Sequence, residues 1–294
     1  MSTSKSGRRS LSAGKRLDWI LLAPGLAWFS IFLLAPVGFI IVISFFGFTP
    51  GGYIPGFTLE HYARVITDPS SQTLLLFSVR LSLTVTALSL LIGYPVAYFI
   101  GMKMKGMVKK TLFLLLFLTP FWVEYSTRTV AWLPVLGQGG ILNRVLMGVG
   151  IISEPSTLFL FSEFSVTMVM VLGYFLFMIF PIVFAMLEMD PTLLEQAEVL
   201  GASRWKAFYH VTFKVSLPGV VVGCIFVFVI SMADFATPRV LGGAVMTMPQ
   251  VVVMQTTSAA NFPLASAYAT ILVVVTMVVV MLLLRVADVR RLIY

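Results

Sequence analysis

Apolar residues gather in six long stretches, roughly 19–46, 75–101, 111–134, 163–187, 215–237 and 264–286, and the segments between them hold most of the charge. A helix needs ~20 predominantly apolar residues to cross ~30 Å of hydrocarbon, and each stretch has that length. The pattern therefore predicts an all-α integral membrane protein with about six transmembrane helices. Between the first two spans, residues 47–71 are rich in Gly, Pro and Thr, and Gly51-Gly52, Pro55 and Asp68-Pro69 mark turns. A loop is expected there, with one short helix over 59–66. The third span is the least regular. Pro120 interrupts its apolar start and Glu124 and Arg128 follow, so the helix is expected to bend where the polar residues begin. Pro24 and Pro36 predict kinks in the first span. That span far exceeds the apolar core of a secretory signal, about 7–15 residues, and is read as an uncleaved helix.

Composition agrees with this pattern and narrows it. The chain is 59% apolar and 11% charged, with a mean hydropathy of +1.00, whereas soluble globular chains carry about 25% charged residues. Its 294 residues allow a basic arm at 1–18 and one integral domain over 19–294, but no separate soluble domain. The formal net charge of +8 raises the question of a nucleic-acid partner, and the placement of the cations answers it. With the N-terminus in the cytoplasm, the inner segments hold Lys5, Arg8, Arg9, Lys15, Arg16, Lys103, Lys105, Lys109, Lys110, Arg204, Lys206, Lys214, Arg285, Arg290 and Arg291. Only Arg64, Arg80, Arg128, Arg144 and Arg239 remain for the outer half. That asymmetry follows the positive-inside rule, so both termini are assigned to the cytoplasm and no nucleic acid is needed to explain the charge. Cys224 has no second cysteine to pair with, and His61 and His210 are too isolated for a metal site.

One hydrophilic segment, residues 188–216 between spans 4 and 5, stands apart from the rest. It reads as helical, capped at Asp190 with Pro191 at the first helical position. Gly201 divides it into two short helices, because glycine supplies the φ freedom that a reversal needs. Small Ala197 and Ala202 permit close approach. Trp205 and Phe208, three residues apart, share a helical face and would present an aromatic ridge to a partner groove. The alternative is an amphipathic loop resting on lipid headgroups. In the fifth span, Gly219 and Gly223 form a G-x-x-x-G suited to close helix contact.

The stretch from Leu194 to Phe213 resembles the cytoplasmic coupling loop of ABC importer permeases. Glu195-Gln196-Ala197 fills the family's Glu-Ala-Ala slot, Gly201 its glycine, and Val211 the aliphatic position that follows. Gln196 departs from the pattern, as does Phe213-Lys214 where the family has Leu-Pro, although Leu217-Pro218 comes one turn later. The strings Pro120-Phe121-Trp122, Arg128-Thr129-Val130-Ala131-Trp132 and Ala233-Asp234-Phe235-Ala236-Thr237-Pro238 with Leu241-Gly242-Gly243 are similar to the spermidine/putrescine branch of these permeases. The resemblance implies a bacterial inner-membrane permease subunit whose segment 188–216 is a cytoplasmic coupling-helix loop. It assigns ATPase coupling to Glu195, Ala197, Gly201, Ala202, Arg204, Trp205 and Phe208. The partners it implies are an ABC ATPase dimer that binds ATP and Mg, a second, homologous permease subunit, and a periplasmic solute-binding protein. This chain has no phosphate-binding loop of its own, since Gly14-Lys15 is followed by Arg16. It is therefore expected to be a transport subunit without catalytic residues, cofactor or metal.

Ionisable groups within spans are functional candidates, because an unpartnered charge there is costly. At ~1.5 Å per residue, Glu124 lies ~21 Å above Lys110 on the third span, and Asp234 lies ~25 Å above Leu217 on the fifth. Both fall in the outer half, where an arriving solute would first meet the permease. Glu124, Tyr125, Trp132, Tyr174 and Asp234 are the expected path residues, with Tyr125, Trp122 and Trp132 placed to stack on a cation. The competing expectations are ion pairing of the two carboxylates with Arg80, Arg128 or Arg239, and lipid anchoring by the aromatics. The solute is expected to be a polyamine or related small cation, with opines, amino-acid derivatives, metals or thiamine-like molecules as alternatives. A transporter driven by an ion gradient would lack the docking loop and would often show an inverted repeat. A membrane-embedded enzyme would need a compact set such as H-E-x-x-H, which the sequence lacks.

Overall fold

The computed structural model describes residues 21–49, 51–190 and 192–286. The five cations of the basic arm, the cap position Pro191, and Arg290 and Arg291 lie outside the described residues. The first helix, α1 (Leu21–Ile43), contains one widened turn at Ser30–Leu34, immediately before Pro36. Proline lacks the N–H that would close the preceding turn, and the widened turn absorbs that loss. Pro24 sits in the first described turn, and no irregular turn accompanies it. A two-stranded antiparallel hairpin follows, β1 (Gly47–Thr49) and β2 (Gly52–Ile54), in a segment expected only as loop. Helix α2 (Glu60–Thr67) then lies where a short helix was expected.

Helix α3 (Pro69–Lys103) begins six residues before the apolar stretch does. Asp68 accounts for the early start: its carboxylate accepts from the Ser71 backbone N–H at 2.9 Å, and Pro69 fills the first helical position. The third apolar stretch is not one continuous helix. It forms α4 (Met107–Leu118) and a tight turn at Thr119–Trp122, then passes through extended backbone at Val123 and Glu124. The chain resumes as α5 (Tyr125–Val130), α6 (Leu133–Leu136) and α7 (Ile141–Gly148). The expected bend at the first polar residues is thus a full break. Beyond it come α8 (Glu163–Leu187), α9 (Thr192–Val199), α10 (Arg204–Ala233), α11 (Ala236–Leu241), α12 (Met248–Thr257) and α13 (Phe262–Val286). Among the described residues, five helices are long and apolar enough to cross a membrane: α1, α3, α8, α10 and α13.

The core lies where α3, α8 and α10 pack together, around Val85, Met178, Ile179, Ile182 and Val227. Water-driven burial cannot hold helices together in lipid, so close backbone approach has to. Gly219 and Gly223 provide it. A Cβ at Gly219 would run into the Pro181 carbonyl, and one at Gly223 would lie 3.1 Å from the Met178 backbone. Gly219→Ala is accordingly expected to lower the thermal stability of the purified protein by about 1–3 kcal/mol. Gly25→Ala, whose added methyl meets nothing within 4 Å, should leave it unchanged. Equal melting midpoints for the two variants would contradict this account of the α8–α10 contact.

Candidate functional site: an aspartate–tyrosine cluster and an exposed loop

Helix α10 ends at Asp234, where the backbone turns extended before α11 begins. The Oδ1 atom of Asp234 accepts from the backbone N–H groups of Ala236 and Thr237 at 2.9 and 3.1 Å. Its Oδ2 accepts from Tyr125 Oη of α5 at 3.0 Å and from Tyr174 Oη of α8 at 2.9 Å. Tyr125 Oη also meets Thr237 Oγ1 at 2.6 Å. The two phenol rings stack with centroids 5.3 Å apart. Gly173, one residue before Tyr174, makes room for this: a Cβ there would lie 3.0 Å from Tyr125 Cε2.

Asp234 is 8% exposed, and four hydrogen bonds support its charge. Among the described residues it has no cationic partner, so the expected pairing with arginine is absent there. The reason is local. Arg80 pairs instead with Glu163 at 2.7 Å. Arg128 lies over the rings of Phe121 and Tyr125, 5.1 and 5.2 Å from their centroids, and donates to the Pro120 carbonyl. Arg239 is exposed.

Of the five expected path residues, Tyr125, Tyr174 and Asp234 meet in one cluster. Trp132 is half-buried at a neighbouring cleft of 170 Å³ that Tyr125, Arg128 and Gly173 also line. Glu124 does not join the cluster. Its carboxylate accepts from the Thr127 backbone N–H at 2.9 Å and caps the start of α5, because the break at Val123 leaves those N–H groups without helical partners. Trp122 is 90% exposed and lies outside the cluster. Thr237 and Gly173 were not singled out from the sequence. Thr237 stands in the string from Ala233 to Pro238, where its spacing from Asp234 was the available signal.

The second region is the loop between α8 and α10. Asp190 Oδ1 accepts from the Thr192 N–H at 2.9 Å, and the Thr192 backbone and side chain hold its carboxyl below the usual carboxylate range. Gly201 adopts φ +79°, a backbone that disfavours any residue with a Cβ. The Ala202 N–H closes the turn on the Ala197 carbonyl at 2.9 Å. Ser203 then caps the next helix through the Lys206 N–H. Glu195 and Arg204 are exposed, and Ala197 and Ala202 are half-buried.

The two aromatics expected to form one ridge divide their contacts. Phe208 packs inward against Tyr94 and Tyr98, with centroids 6.2 and 5.5 Å away, while Trp205 is 81% exposed and touches Phe208 edge-on. Val199 and Leu200, 87% and 86% exposed, extend the apolar surface on the other side of the turn. They were not singled out from the sequence; their signal is a pair of apolar residues directly before Gly201 in an otherwise hydrophilic segment. The loop feeds into α10 without a break, so Trp205 and Asp234 lie close to opposite ends of continuous helix and its cap.

No family model matches the chain. It is 30% identical over 226 residues to the spermidine/putrescine transport system permease protein PotB of Salmonella typhimurium strain SL1344, covering 76% of this chain and 77% of that one. It is 33% identical over 247 residues to PotB of Haemophilus influenzae, covering 82% and 84%. The chain belongs to the PotB family of ABC transporter permeases. Its fold supports the assignment: a chain in the crystal structure of a bacterial ABC transporter that imports the acidic polysaccharide alginate superimposes with a TM-score of 0.67 at 18% identity, covering 96% of this chain and 99% of that one. As a PotB-family permease, the chain is a membrane-embedded transport subunit. The buried Asp234–Tyr125–Tyr174 cluster and the exposed α8–α10 loop are the candidate sites of this permease.

Proposed function

We propose that this permease imports a polyamine or a related small cation, received from a periplasmic binding protein and moved at the expense of ATP hydrolysed by a separate ATPase dimer. The observation that carries the substrate class is Asp234, a carboxylate stabilised by hydrogen bonds, without a cation among the described residues, and backed by two stacked tyrosines. An ammonium group crossing low-dielectric protein needs compensating negative charge and gains further from aromatic faces. The PotB names of the relatives agree with that chemistry. A second, homologous permease subunit completes the path in this reading. ATP and Mg belong to the ATPase, and this chain contributes no catalytic group. The α8–α10 loop faces the cytoplasm and seats Trp205, Val199 and Leu200 in the ATPase, with both termini on the same side.

Uptake of labelled putrescine and spermidine by cells that depend on this permease tests the substrate class. Saturable uptake, competed by either polyamine and not by a neutral diol of similar length, is expected. Uptake that anionic or neutral solutes compete for equally would redirect the reading to another small solute of the same importer class.

A further inference from the structure

We propose that the recess beside the turn between α3 and α4 is a binding site for an anionic phospholipid. Met104, Lys109, Leu112, Phe113 and Leu116 line a 470 Å³ recess. Lys109, Leu112, Phe113 and Leu116 recur at i, i+3, i+4 and i+7, so they form one face of α4. Leu112 and Leu116 are 61% and 65% exposed. At ~1.5 Å per residue, Leu116 lies ~10 Å deeper along the helix than Lys109. An acyl chain laid on this face therefore brings its headgroup to the lysine.

The charge around the mouth selects the headgroup. Lys103, Lys105, Lys109 and Lys110 crowd the turn, and no Asp or Glu occurs anywhere between Asp68 and Glu124. Two of these cations are engaged by the protein itself: Lys110 Nζ donates to the Gly101 carbonyl at 2.6 Å, and Lys103 Nζ lies 5.9 Å from the Tyr98 ring centroid. Those contacts hold the turn, which Gly106 makes at φ +85°. Lys105 and Lys109 are exposed and have no ion pair or hydrogen bond among the described residues. A phosphate diester supplies the acceptor oxygens they lack, and a net negative headgroup matches a surface of unopposed positive charge. A protein partner would have to bring both an apolar ridge and its own acidic cluster to the depth of the lipid headgroups, whereas an anionic lipid already carries both parts in one molecule.

The test uses the assembled importer, offered phosphatidylglycerol and phosphatidylethanolamine in equal amounts, with retained lipid counted by native mass spectrometry. The wild type is expected to retain phosphatidylglycerol preferentially. Lys105→Gln/Lys109→Gln should lose that preference by about fivefold for each lysine. Leu116→Trp, which fills the recess without changing charge, should reduce retention of both lipids. Lys214→Gln/Arg285→Gln removes two cations elsewhere and should retain the wild-type preference. Equal retention of the two lipids by the wild type would overturn the site, as would an equal loss in the Lys214/Arg285 control. Retention by the isolated permease that disappears when the second permease binds would assign the face to that subunit and overturn the proposal as well.

Discussion

Trp205→Ala is expected to reduce ATP-driven uptake by an order of magnitude or more while the permease still inserts and folds. Trp205 buries little of itself in this chain, so its removal costs the fold almost nothing. An aromatic anchor truncated at the centre of an interface typically costs 2 kcal/mol or more, roughly a 30-fold loss of docking affinity. Phe208, by contrast, is held between the loop and the Tyr94 and Tyr98 rings, and Phe208→Ala should lower both uptake and thermal stability. Gly201→Val acts through the backbone, since a residue with a Cβ held at φ +79° costs about 1–2 kcal/mol and would alter the turn that sets Trp205 relative to Val199 and Leu200. Copurification of the ATPase with each variant checks the series. Undiminished copurification and uptake in Trp205→Ala would remove the loop from the docking surface.

Asp234→Asn should depress polyamine uptake at least ~10-fold, because the negative charge goes while the side chain keeps its size. One amide nitrogen would also face N–H or O–H donors that now meet a carboxylate oxygen, so some loss of stability accompanies the change. Tyr174→Phe separates the two effects. It removes one hydrogen bond to a charged group, worth about 1.5–3 kcal/mol, and leaves the charge and the ring in place. If Asp234 serves the solute, uptake should fall far more in Asp234→Asn than in Tyr174→Phe, at comparable melting midpoints. If the cluster only braces α5, α8 and α11, melting should fall in both variants and uptake should follow stability. Glu124→Gln should have little effect on uptake, because Glu124 caps α5 with a single carboxylate oxygen that an amide oxygen can replace.

The two candidate regions were legible to different degrees, and for physical reasons. The loop from Asp190 to Thr212 is local: the Asp190 cap, the Gly201 turn and the aromatics lie within a few turns of each other and were legible from spacing, whereas the Ser203 cap and the inward packing of Phe208 were not. The cluster is not local. Tyr125, Tyr174 and Asp234 were each visible as polar or aromatic residues in apolar spans, but their meeting depends on three helices packing, and no sequence spacing encodes that. The capping role of Glu124 was not legible, because hydropathy shows a carboxylate in an apolar stretch and does not show that the helix breaks at Val123 and leaves N–H groups to cap. Apolar length placed α8 well. It missed the early start of α3, where Asp68 and Pro69 carry helix through the polar residues Ser70 to Thr73. The β1–β2 hairpin, with strands of three residues each, was too short to leave a periodic signal.

The central claim is that ATP hydrolysed on the side of the α8–α10 loop drives a cation through this permease. The importer, with its ATPase and second permease, is reconstituted in sealed vesicles with no ion gradient, and ATP is supplied only on the loop side. Labelled spermidine on its binding protein is placed on the opposite side. The account predicts accumulation of spermidine on the loop side that requires ATP and the binding protein and that is lost in Trp205→Ala. Accumulation that needs no ATP and instead follows an imposed sodium or proton gradient would contradict it.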